Sequence, residues 1–189
     1  MNNIRKITGL IPALVLWLMF SVLLWGFVFT KITDAPAQNK IVLFVDAAVP
    51  GEAALAQALE EGRGEHIRMV QVHPFTYAML DGGPLEQADL YIVPASHVET
   101  YQEWFRPLPQ ALEERDDLLF WKGRAWGVRV YDANGGRGAA EAYIDYETRG
   151  AEREDYYLIF GARSLHVLTN ENAVDDEAVF TARRLLNLR

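Results

Sequence analysis

The chain has 189 residues, no cysteine, and 18 Lys+Arg against 26 Asp+Glu, a formal charge of −8. Missing thiols exclude disulfides, cysteine metal sites and a lipid-modified cysteine anchor. Three of the cations (Arg5, Lys6, Lys31) and one of the anions (Asp34) precede residue 38, which leaves 15 against 25 beyond it, a formal −10; such a surface repels nucleic acid and disfavours a polybasic grip on anionic lipid.

Residues 7–30 carry no charge and are rich in Leu, Val, Phe and Trp. At about 1.5 Å per residue this run is long enough for a hydrocarbon core of roughly 30 Å. It predicts a transmembrane helix, with Pro12 in its first turns, where a missing N–H costs least. Arg5 and Lys6 precede it, so residues 1–6 are expected inside and the C-terminal domain outside, in a single-pass cell-membrane topology. The rival reading is a signal peptide. Ala35-Pro36-Ala37 has the small-x-small pattern, and cleavage after Ala37 would secrete the remainder. The run is longer than the roughly 7–15 apolar residues usual in a signal peptide, which favours the anchor.

Residues 31–39 read as a linker, and 40–189 as one extracytoplasmic domain of ordinary size. Residues 40–46 are continuously apolar, as in a strand buried on both faces. A helix is expected over 51–61, with Ala54, Leu55, Ala58 and Leu59 as its stripe, closed by Gly62 and Gly64. Strands follow at 66–73 and 89–94, separated by a turn or short helix at 74–80 and the loop Asp81-Gly82-Gly83-Pro84. A helix over 95–105 would take Ser96 as N-cap with Glu99 in the capping-box position. Strand and helix alternation points to an α/β fold with a parallel core sheet, three-layer-like, with right-handed crossovers.

Further on, residues 118–121 and 124–131 read as a β-hairpin turning at Lys122-Gly123. Asp132 to Gly138 is a turn, 148–155 a polar loop and 156–160 a last apolar strand. A helix over 175–188 closes the chain. Asp175, Asp176 and Glu177 sit in its first turn and Arg183 and Arg184 toward its end, complementing the dipole. Val174, Ala178, Ala182, Leu185 and Leu186 form its apolar face.

Candidate site residues come from the strand ends. Ligands of open α/β sheets bind outside the carboxyl ends of the strands. Asp46, His73 and the Ser96-His97 pair follow three of them and would line one edge. In the competing reading Asp46 and Ser96 cap the next helices and the histidines are solvated. Ser164 and His166, two apart, would share a face in an extended segment, and with Asp132 would suggest nucleophilic chemistry; no G-x-S-x-G elbow accompanies them. Asp132-x-Asn134 opens like a calcium loop, but Arg137 and Tyr143 stand where Gly and Glu are needed. No cofactor or metal is expected. Of the aromatic residues in the second half, most would fill a core; Trp126 and Tyr131 are the candidates for exposure.

Residues 40–46, 67–73 and Ala88-Asp89-Leu90-Tyr91-Ile92-Val93-Pro94 resemble the opening lobe of extracellular solute-binding proteins of ABC importers. Residues 103–109 and Lys122-Gly123-Arg124-Ala125-Trp126-Gly127-Val128 extend the resemblance to about residue 130. Arg129 follows where that family has proline, and the chain has room for one lobe, not two. The resemblance implies a solute-binding-like module, with Asp46, Ser96 and Trp126 bordering the ligand cleft. The function expected is thus a membrane-anchored, non-enzymatic module accessory to an ABC importer, binding a small solute or a membrane-protein partner. The alternatives are an assembly protein that docks a membrane complex through its ectodomain, and an envelope hydrolase.

Overall fold

The computed structural model describes residues 2–33, 35–75, 85–147, 153–168 and 173–188, with side chains of the first helix described from 11 to 29. The chain divides into two units, Met1–Pro36 and Ala37–Arg189. The first is a single helix, α1 (Asn2–Thr33), which overruns the expected 7–30 span at both ends. Within it Ile11–Phe29 has a mean hydropathy of 2.3, long and apolar enough to cross a membrane or to act as a signal sequence. Its apolar side chains, from Leu16 to Trp25, are exposed.

The second unit is a mixed α/β domain. Its strands are β1 (Lys40–Val45), β2 (Met69–Pro74), β3 (Leu90–Pro94), β4 (Phe105–Arg106), β5 (Leu118–Trp121), β6 (Arg124–Asp132), β7 (Arg137–Gly138) and β8 (Tyr156–Gly161). They form one sheet in the order β2-β1-β3-β8-β6-β5, with β4 on β8 and β7 on β6. The expected parallel core is real for β2, β1 and β3. From β3 onward the neighbours are antiparallel: β8, then β6, then β5. The linker expected over 31–39 is shorter than that, because α1 continues to Thr33 and Ala37–Asn39 is already a 3-10 turn of the domain.

Alternating side chains send the sheet's two faces into two cores. On one face Leu43, Val45, Ile92, Leu158 and Phe160 pack with Leu55 and Leu59 of α2 (Glu52–Glu60) and with Ala178, Ala182 and Leu185 of the C-terminal helix. On the other, Phe44, Tyr91, Val93 and Ile159 pack with Phe75, Leu85, Val98 and Phe105. Ala54 and Val174, expected in apolar stripes, are exposed. β3 is buried along its whole length because it lies between β1 and β8 with both faces covered.

The helix expected over 95–105 is cut short. It exists as α3 (Ala95–Val98) and gives way to a turn and a 3-10 segment, Gln102–Trp104. The reason is tertiary: Phe105 and Arg106 must be extended to pair with Gly161 and Phe160 of β8. The closing helix, α4, runs Glu177–Asn187. The hairpin turns where expected, with Lys122 and Gly123 both at positive φ (48° and 76°), as a two-residue type I′ connection needs. Of the turn or short helix expected over 74–80, the loop over 81–84 and the polar loop over 148–155, residues 76–84 and 148–152 lie outside the described residues.

Candidate functional site

β1 lies between β2 and β3, so the chain leaves it on one side and returns on the other. The strand order therefore reverses at the β1–β3 seam, where the two strands' carboxyl ends make the crevice that α/β proteins use for ligands. Asp46 follows β1, and its N–H donates to the Ile92 carbonyl of β3 at 2.8 Å. His97 sits one turn past β3, in α3. The two side chains meet there, with His97 Nδ1 2.5 Å from Asp46 Oδ2.

The pair is unequal: the Asp46 side chain is 2% exposed and that of His97 41%. A buried carboxylate accepts, so Nδ1 of His97 carries the proton and donates. Nε2 is then the ring nitrogen available to solvent or a ligand. The imidazole stands edge-on to Tyr101 at 5.5 Å, and Tyr101 stacks on Trp104 at 4.8 Å and 9°. Phe75 leans on Tyr101 and Phe44, which ties this aromatic shelf to the second core.

The other sequence candidates fall around this pair with different fates. His73 pairs with Phe44 in the β1–β2 register and its ring tilts against the Phe44 ring at 5.4 Å. Burial lowers its pKa, Glu52 opposes this and Lys40 adds to it, so His73 is held toward the neutral form. Ser96 is exposed, and its backbone N–H donates to Glu154 Oε2 at 3.2 Å. Neither Asp46 nor Ser96 caps a helix: the N-cap of α2 is Gly51 and that of α3 is Pro94, both without a side-chain cap bond, and the expected capping box is absent.

Trp126 does not join them. Its neighbour Gly127 pairs with Ile159, which pairs with Tyr91, whereas the edge at Pro94 lies opposite Tyr156. Trp126 is half-buried against the second core and meets Trp121 edge-on at 4.8 Å, and its buried Nε1 has no acceptor among the described residues. Tyr131, the other ring expected at the surface, is buried and stacks on Tyr146.

A second polar cluster lies in the interior. Asp89 is buried just before β3. It accepts the Val42 N–H at 2.8 Å and the Ser164 hydroxyl at 2.5 Å. Burial pushes its carboxyl up to about 6, against the pull of those two bonds and of His166. The His166 N–H donates to Ser164 Oγ at 3.0 Å, but its ring points elsewhere. Nδ1 lies 2.9 Å from Asp175 Oδ1, and Nε2 lies 3.1 Å from the Ala37 carbonyl. Burial alone would lower the His166 pKa; Asp89, the Ala37 carbonyl and Asp175 outweigh it and raise it. Asp175 also takes His66 Nε2 at 2.7 Å.

Ser164 and His166 therefore do not form a nucleophile–base pair: the hydroxyl donates to Asp89 and both ring nitrogens face other acceptors. Asp132 serves its own turn, accepting the Asn134 N–H at 2.9 Å. Among the described residues, no group of three or more His, Asp or Glu is placed to hold a metal ion. Comparison with known proteins finds no family model, no curated protein and no solved structure that matches this chain.

Proposed function

We propose that the chain is a membrane-tethered, non-enzymatic binding module whose exported domain takes its ligand at the β1–β3 edge. The observation that carries this is the Asp46–His97 pair: a buried acid orients a half-exposed imidazole at the point where the strand order reverses. Tyr101 and Trp104 offer stacking area beside it, suited to a sugar or peptide. The parallel β2-β1-β3 core supports the resemblance to solute-binding proteins, and the partner we expect is the permease of an ABC importer. In this reading α1 stays as the anchor, with residues 1–6 inside. The turns over the second core, α3 among them, serve as the third layer of the domain.

The full chain in detergent micelles, melted with sugars, amino acids and peptides, tests the small-ligand reading. A ligand at 100 times its dissociation constant adds about 2.7 kcal/mol of stability, which is several degrees for a domain of this size. No shift with any class would overturn it. The second reading, an assembly protein, is favoured by Phe120, 69% exposed on the edge strand β5. Co-purification from membranes in mild detergent with a stoichiometric membrane protein would support that reading; recovery of the chain alone would remove it.

A further inference from the structure

The Ala35-Pro36-Ala37 sequence has the side chains a signal peptidase selects, and the bond it would cut joins Ala37 to Gln38. We propose that the folded domain locks this bond, so that the leader helix stays attached once the domain has folded. The proposal rests on reading Ile11–Phe29 as an export helix and is independent of what the β1–β3 edge binds.

Hydrolysis at this bond places particular demands on the chain. A nucleophile adds to the Ala37 carbonyl carbon, and its oxygen takes the negative charge into the enzyme's oxyanion hole. The bond to the Gln38 nitrogen then breaks, and water supplies OH to the Ala37 acyl group and H to the departing amine. The segment must lie extended in the protease, with the carbonyl oxygen given over to it.

In the fold neither condition holds. Residues Ala37–Asn39 are wound into a 3-10 turn. The Ala37 oxygen is already the acceptor of His166 Nε2 at 3.1 Å. The far side of the turn is fastened twice to the segment before β2: the Asn39 carbonyl accepts the Arg68 N–H at 2.7 Å, and Asn39 Nδ2 donates to the His66 carbonyl at 2.7 Å.

The grip on Ala37 comes from a buried group that cannot relax cheaply. Both ring nitrogens of His166 face acceptors, the Asp175 carboxylate and the Ala37 carbonyl. A neutral imidazole has one N–H, so both bonds are made together only by the imidazolium. The charged or titratable groups set around it are Asp175 just before α4, His66 before β2, which meets the same Asp175 carboxylate, and Asp89 before β3. The Ala37 side chain remains exposed, so the protection resides in backbone geometry and not in burial of the residue.

The test incubates the full chain in micelles with purified signal peptidase and follows by mass spectrometry the fragment beginning at Gln38. A synthetic peptide of residues 1–45 in the same micelles, which keeps the apolar helix but not the folded domain, serves as the unfolded reference. The peptide should be cut, and the folded chain at least tenfold more slowly. His166→Gln and, as a variant away from the core, Asn39→Ala should each raise the rate while still melting cooperatively. Cutting of the folded chain as fast as the peptide would overturn the proposal. So would an uncut peptide, or variants as resistant as the parent.

Discussion

His166 and Asp89 set the behaviour of the interior with pH. His166 has a folded-state pKa above its ordinary 6.5. Its stabilising contribution is complete below that ordinary value and is lost as pH rises through the elevated one. Asp89 has its folded value raised from 3.8 to about 6, so its ionisation in the fold costs stability as pH rises across that window. The two slopes have the same sign. His73, whose pKa is lowered, gives the opposite slope below 6.5, so the melting temperature of the full chain should fall as pH rises above 6.5, and His166→Gln should flatten that part. A parent whose melting temperature rises over that range would contradict the assignment of His166 as imidazolium. The identities of these residues were visible in the sequence, but their partners were not. Ser164 and His166 share a short segment, yet what fixes them is Asp89, 75 residues away from Ser164, and Ala37, 129 residues away from His166.

At the scale of elements, strand continuity was legible and pairing was not. Unbroken apolar runs announce β1, β3 and β8, because a strand covered on both faces has no polar side to show. Nothing local says that β8 runs against β3 or that β4 docks beside it. The two-residue strands β4 and β7 are too short to leave a periodic trace. Helix α3 failed its expectation for the same reason: pairing at Phe105 overrode a segment whose pattern allowed a longer helix. Gly161, at the end of β8, shows how tight this pairing is. A Cβ there would run into the backbone carbonyl of Ala88, and the Gly161 N–H already donates to the backbone carbonyl of Asp89 at 2.9 Å. Gly161→Ala should cost about 1–3 kcal/mol, a drop of several degrees in melting temperature. An unchanged melting temperature would mean that the β8–β3 join is looser than described.

For the whole molecule, the sequence was most informative about the leader and about which end of the sheet to inspect. The strand-end rule led to Asp46, His73, Ser96 and His97 without any knowledge of contacts, since it depends only on where apolar runs stop. It could not select among them. The selection comes from topology: β1 and β3 adjoin, so Asp46 and His97, 51 residues apart, meet, while Trp126 belongs to another part of the sheet. The most direct measurement is the ligand-induced melting shift of the full chain beside that of His97→Ala, for whichever sugar, amino acid or peptide stabilises the parent. His97 is half-exposed, so its removal should leave a folded chain, lowered by about 1–2 kcal/mol for the buried carboxylate deprived of its imidazole. With the ligand at the Asp46–His97 edge, the parent should shift by several degrees and the variant little or not at all; an equal shift in both would contradict that site.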